Sequence, residues 1–145
     1  MITGLSHVSI AVPDLAAAAR ELKAVYGLEV GAVHVNERQG VRLAYVQLAN
    51  ARIELMEPSR PDSPLSKFLE RNSGGGIHHF SLAVDSVDHA KEELADHGAH
   101  VLGAGEPQWN VEGERIAFVH PKSFLGALVE LEEERKRDVP PATER

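Results

Sequence analysis

Two separated stretches, HVSIAV from His7 and HFSLAV from His79, alternate strictly between bulky apolar and smaller or polar residues, as a half-buried strand does. Alternation sends Val8, Ile10 and Val12 to one face and His7, Ser9 and Ala11 to the other. Phe80, Leu82 and Val84 oppose His79, Ser81 and Ala83 in the same way. One face suits packing beneath a helix. The other carries a histidine followed only by small residues, which leaves space for a ligand and matches His79, rather than the adjacent His78, to His7. In this reading each histidine opens its strand.

After each alternating run the apolar period lengthens to that of a helix. Asp14, and Ser86 flanked by Asp85, are the N-cap candidates, and Gly27 and Gly98 the stops. Leu15, Ala18, Ala19, Leu22 and Val25 share one helical face, as do Val87, Ala90 and Leu94. Period two then returns in VGAVHVNE, VRLAYVQLA and ARIELMEP, and again in HVLG, ERIAFVHP and GALVELEE, with turns at Gln39-Gly40, Ala49-Asn50, Glu112-Gly113 and Phe124 to Gly126. The two halves are copies of one βαβββ unit with a single gap between them. This predicts an α+β fold in one domain over 1–132, with module one at 4–58, a connector at 59–75 and module two at 76–132. The connector carries a Ser63-Pro64 helix start and ends at the triple glycine, read as a flexible hinge; 133–145 reads as a charged, frayed tail.

Composition narrows the classes. A chain of 145 residues, 43% hydrophobic and 26% charged, fits one soluble globular domain. A formal net charge of −7 repels a phosphate backbone, so nucleic-acid binding is not expected. With no cysteine, disulfides and thiolate sites are excluded and any metal must be held by His, Asp or Glu; the expected compartment is the cytoplasm. No apolar run is long enough for a membrane span.

The last strand of each half places a carboxylate among apolar neighbours: Glu54 in RIEL and Glu130 in LVEL. An ionised carboxylate facing a sheet interior is costly unless paired or bound to a metal. His7, Glu54, His79 and Glu130 occupy matching repeat positions and together make an N2O2 set for a divalent ion. Ser9 and Ser81, on the same open faces, are candidate substrate contacts. His34, His78, His89, His97, His100 and His120 have no duplicate partner and receive no role.

These positions and the strand pattern resemble the vicinal oxygen chelate superfamily, whose members join two βαβββ modules into a cupped, half-open mixed sheet with helices outside. The segments NERQGV, IELMEPSRPDSPLSKFLERNSGGGIHHFSLAVDSV and FVHPKSFLGALVEL are similar to those of methylmalonyl-CoA epimerases. The resemblance implies metal ligands at His7, Glu54, His79 and Glu130, and an acyl-CoA substrate. It implies Co2+ first, with Mn2+, Ni2+ or Zn2+ as substitutes. It further implies proton transfer at C2 of a 2-substituted malonyl thioester through an enolate stabilised by the ion, with Glu130 as one proton-transfer group. Lys122 in HPKS is implied as a substrate or CoA contact, against the plainer reading of a solvated turn lysine. Some relatives carry a second glutamate where this chain has Leu43. The second proton-transfer group is therefore open between Glu37, Gln39, a metal-bound water and the substrate itself. A homodimer follows from the family and from the open sheet edges.

Three rival readings share the fold. A lactoylglutathione lyase uses a similar four-ligand set, and an Fe(II) extradiol dioxygenase needs only His7, His79 and Glu130, leaving Glu54 in a position that oxygen chemistry wants open. A metal-free small-molecule binding protein would lack the ligand set.

Overall fold

The structure, a computed structural model, describes residues 1–103 and 106–134. The first module runs β1 (Ile2–Ala11), α1 (Leu15–Tyr26), β2 (His34–Asn36), β3 (Val41–Gln47) and β4 (Arg52–Pro58). Helix α2 (Pro64–Arg71) connects it to β5 (Gly76–Val84), α3 (Val87–Asp96), β6 (Val101–Leu102), β7 (Gln108–Trp109), β8 (Arg115–Val119), a 3-10 turn (Pro121–Ser123) and β9 (Val129–Glu133). The strands form one curled mixed sheet in the order β2-β3-β4-β1-β5-β9-β8-β6, with β7 on β8. β1 and β5 pair antiparallel at its centre, and each pairs parallel with the last strand of its own module, β4 or β9.

Capping follows the expected residues. Asp14 accepts from the Ala17 N–H at 3.0 Å, Ser86 from the His89 N–H at 3.2 Å, and Ser63 from the Leu65 N–H at 3.3 Å with Pro64 in the first helical turn. Gly27 closes α1 in the left-handed region at φ 67°. The helices hold the outer face: Leu15 of α1 packs with Ile10 and Val12 of β1, and Val87 and Ala90 of α3 with Val84, Val129 and Leu131. Each such fully buried aliphatic side chain stabilises the fold by about 1.5–3 kcal/mol. Helix α2 sets Leu65 against Ala11, Leu43 and Met56, across one end of the concave side of module one.

Several expectations are corrected. Neither histidine opens its strand: β5 begins at Gly76, and β1 at Ile2, where Ile2 to Leu5 pair with Val84 to Leu82 of β5 although these first residues are exposed and lack the period-two alternation. Val25 is 66% exposed and lies off the packed stripe. The run VGAVHVNE yields only His34–Asn36 as strand, and the unexpected β7 pairs Trp109 with Arg115, whose guanidinium lies 5.3 Å from the indole. Within the triple glycine only Gly75 is a close-packing point: it has φ 87°, and a Cβ there would stand 2.4 Å from the Ala11 carbonyl oxygen. β9 includes Glu133, the Glu134 N–H donates to the Val84 carbonyl at 3.0 Å, and 135–145 of the predicted tail lie outside the described residues.

Candidate metal centre

Register alone brings the four candidate ligands into one ring. In the antiparallel β1·β5 pair, His7 lies across from Ser81 and His79 across from Ser9. In the parallel outer pairs, Ser9 lies beside Glu54 and Ser81 beside Glu130. Each half therefore supplies one imidazole and one carboxylate about the seam between them. The two imidazole rings are 5.7 Å apart, edge to face.

All four side chains are buried. His7 Nε2 stands 3.9 Å from Glu54 Oε1 and 3.7 Å from Glu130 Oε1, while His79 Nε2 is 3.6 Å from Glu130 Oε2. Burial lowers the His7 pKa to about 3, helped by His79 and Arg52, and also lowers that of His79 against the pull of Glu54. These contacts are thus not ion pairs, because both rings are neutral near pH 7. His7 Nε2 is buried without any hydrogen-bond partner. An orphaned lone pair between two carboxylates is costly by itself, whereas donors bound to one ion at about 2.1 Å sit roughly 3–3.5 Å apart, close to the spacing here. Two overlapping trios, His7–Glu54–His79 and His7–Glu130–Glu132, each bring their ligand atoms within 4.8 Å of one another, which fits a divalent cation.

The carboxylates are held unequally. Ser9 Oγ donates to Glu54 Oε1 at 2.6 Å and meets His79 Nε2 at 3.0 Å; Ser81 Oγ donates to Glu130 Oε1 at 3.1 Å. Ser9 and Ser81 are fully buried, and their hydroxyls hold the two glutamates. Tyr45 also hydrogen-bonds Glu54, and burial together with that carboxylate raises its phenol pKa. Burial and the nearby Glu54 push Glu130 up to about 8, against hydrogen bonds from Glu132 and Ser81.

Four residues around the ring were missed by sequence reasoning. Glu132 lies behind His7, with Oε2 3.4 Å from Nδ1, and burial followed by the charge of Glu130 raises its pKa to about 7. Arg52 reaches Glu132 at 3.7 Å and Glu112 at 2.5 Å, and its guanidinium lies 3.9 Å from the Tyr45 ring centroid. His78, given no role, meets His79 with the two Nδ1 atoms 2.8 Å apart; burial and His79 lower its pKa to about 4. Inward parity on the strands offered a signal for Glu132, Arg52 and Tyr45, since each shares the face of its module's candidate glutamate or pairs with it. None offered one for His78, whose parity points outward.

The small cavity over the ring, about 20 Å3, includes Glu54, His79, Glu130, Gln39 and Leu43 in its wall. Glu37 is not in that wall, and its carbonyl accepts from Arg60. Lys122 lies exposed on the 3-10 turn, outside the cavity wall. A larger cleft of about 530 Å3 opens behind His7, bordered by Ser6, Arg52 and Glu132. No described helix is long and apolar enough to cross a membrane.

Residues 6–118 match the model of the Glyoxalase/Bleomycin resistance protein/Dioxygenase superfamily. The chain is 46% identical over 133 residues to the ethylmalonyl-CoA/methylmalonyl-CoA epimerase of Cereibacter sphaeroides, covering 92% of this chain and 99% of that one. It is 38% identical over 129 residues to the mitochondrial methylmalonyl-CoA epimerase of Homo sapiens, covering 89% and 73% of the two chains. A variant of Streptomyces coelicolor methylmalonyl-CoA epimerase, solved with 2-nitronate-propionyl-CoA, superposes with a TM-score of 0.86 at 37% identity, covering 94% of this chain and 97% of that one. The curled sheet, its paired modules and these likenesses agree: the chain belongs to the glyoxalase/bleomycin resistance protein/dioxygenase superfamily and, within it, to the methylmalonyl-CoA epimerase family.

Proposed function

We propose that this chain is a divalent-metal-dependent epimerase that interconverts (2R)- and (2S)-methylmalonyl-CoA, and close 2-alkylmalonyl-CoA homologues, by moving the proton at C2. The observation that carries the reading is the partnerless Nε2 of buried His7 between the carboxylates of Glu54 and Glu130. The names of the relatives, and the CoA ligand in the Streptomyces structure, support the substrate class.

His7, Glu54, His79 and Glu130 are the proposed ligands, with Co2+ the first choice of ion and Mn2+, Ni2+ or Zn2+ as substitutes. A bound divalent ion supplies positive charge beside a thioester carbonyl, which lowers the cost of drawing the proton from the adjacent carbon. Glu130 is the proposed proton-transfer group. Burial and Glu54 raise its pKa to about 8 in the metal-free chain, so its carboxyl holds a proton more readily than an ordinary one. Ser9 and Tyr45 fix Glu54, while Ser81 steadies Glu130. Leu43, with Ile116 and Val111, forms an apolar wall for the alkyl group on C2. Lys122, exposed on the 3-10 turn outside the cavity wall, is the proposed CoA contact. A cytoplasmic homodimer completes the proposal, its edge strands β2 and β6 being the ends of the sheet.

The test is incubation of one epimer with protein and Co2+ in D2O. Deuterium entry at C2 together with formation of the other epimer is expected; no exchange, with metal bound, would overturn the assignment. Purified protein that takes up no divalent ion would favour metal-free binding of small molecules.

A further inference from the structure

We infer that Glu132 is a positioning residue for the metal centre, which holds the Nδ1 side of His7, directly and through Ser6, so that Nε2 is presented to the ion. The inference rests on the metal-dependent reading of the site.

The geometry is directional. Ser6 Oγ donates to Glu132 Oε1 at 2.9 Å, so the proton of that hydroxyl is engaged and its oxygen is left to accept. His7 Nδ1 stands 3.2 Å from Ser6 Oγ and 3.4 Å from Glu132 Oε2. With two acceptors before it, Nδ1 carries the ring hydrogen, and the lone pair is left on Nε2, the atom with no partner. A carboxylate behind a ligating imidazole fixes the tautomer, restrains the ring and raises ligand basicity.

Glu132 offers a carboxylate oxygen within 4.8 Å of ligand atoms of His7 and Glu130, but it meets His7 at Nδ1, whereas Glu54 and Glu130 face Nε2. It is 5% exposed and borders the larger cleft behind His7 rather than the small cavity that holds Glu54, His79 and Glu130. Arg52, anchored on Glu112, approaches its Oε1 at 3.7 Å and supplies countercharge. Module one has no such carboxylate, because its equivalent position, two residues past Glu54, is Met56. His79 is backed instead by His78. The two imidazoles are therefore supported by chemically different partners, Glu132 and Ser6 for His7 and His78 and Ser9 for His79.

Titration of the full-length protein with Co2+, read as visible ligand-field absorption and as a Kd from chelator competition, tests this. Glu132→Gln is expected to weaken Co2+ binding by about 10- to 100-fold and to alter the absorption bands, with Glu132→Asp recovering part of both. Ser6→Ala, which removes only the bridging hydroxyl, is expected to weaken binding by about 3- to 10-fold, the worth of one hydrogen bond. It serves equally if Glu132→Gln does not fold. Unchanged Kd and spectrum in the folded variants, beside a wild type that binds Co2+, would overturn this inference alone. A wild type that binds no Co2+ would overturn the metal reading and this inference with it.

Discussion

Tyr45 and Phe118 occupy equivalent places in the two modules, Tyr45 paired across its strand with Glu54 and Phe118 with Glu130, and only Tyr45 has a hydroxyl to give its glutamate. The duplication is thus broken where the two carboxylates need different behaviour. Glu54 is fixed by two hydroxyls, whereas Glu130 has one and shares a hydrogen bond with Glu132.

Adding the missing hydroxyl should tie Glu130 down. Phe118→Tyr is expected to lower kcat by about 3- to 10-fold, the effect of one additional hydrogen bond on the group that must move a proton, with little change in Co2+ affinity. Steady-state kinetics beside metal titration will check this, and unchanged kcat would mean that looseness at Glu130 is irrelevant. Tyr45→Phe should cost about 1–3 kcal/mol in denaturant unfolding, because it leaves buried Glu54 short of a donor.

Loss of a ligand and loss of a proton carrier should separate. Glu130→Gln, whose amide oxygen can still ligate but cannot carry a proton, is expected to abolish turnover with the ion retained, while His7→Ala and His79→Ala should lose the ion first, since ligand removal weakens binding before it alters chemistry. Metal content after gel filtration, measured beside activity, distinguishes the two; an active Glu130→Gln would remove Glu130 from the proton path.

Stability of the metal-free chain should fall on both sides of a plateau. Glu130 and Glu132 are raised from 4.5 to about 8 and about 7, so the folded chain keeps protons that the unfolded one releases; this contribution is full below pH 4.5 and is lost as pH rises through those values. His7 and His78 are lowered from 6.5 to about 3 and about 4, so the unfolded chain takes up protons that the folded one refuses, and stability falls as pH drops through this range. The opposing slopes overlap between about 4.5 and 6.5. Melting temperatures in chelator should therefore decline from pH 6.5 to 8, and a rise there would contradict the assignment. Because Glu130 must lose its proton to ligate, Co2+ affinity should increase over the same interval.

Leu43 is buried where some relatives were expected to have a glutamate, so it acts as wall and core together. Leu43→Ala should cost about 2–5 kcal/mol of stability as a buried cavity mutation. It should also raise the relative turnover of longer 2-alkyl chains, measured as a kcat/KM ratio against methylmalonyl-CoA. An unchanged ratio would place the alkyl group elsewhere.

Much of the fold was legible because the period-two and helical patterns occur twice in the same order, and strand parity alone put His7, His79, Glu54 and Glu130 on inward faces. What surrounds them was not. Glu132 shares the inward parity of Glu130 but reads in sequence as the first of a run of acids that blends into the charged tail, and only register across β5 brings it to His7. Tyr45 and Arg52 look like ordinary members of amphipathic strands until cross-strand register stacks them beside Glu54. His78 faces outward by parity, yet its ring lies against Phe68 of α2 and bends back to His79, a contact set by helix packing rather than by alternation. Residues before His7 join β1 through pairing with β5, which no local pattern announces.

The antiparallel seam between β1 and β5 also bears on where such a centre could have started. Each half brings one imidazole and one carboxylate, too few to enclose an ion, so a polypeptide of half the length could complete the ring only by meeting a second copy head to tail. Fusion of the halves turns that encounter into an intramolecular one, and assembly of the ring within this chain is independent of protein concentration.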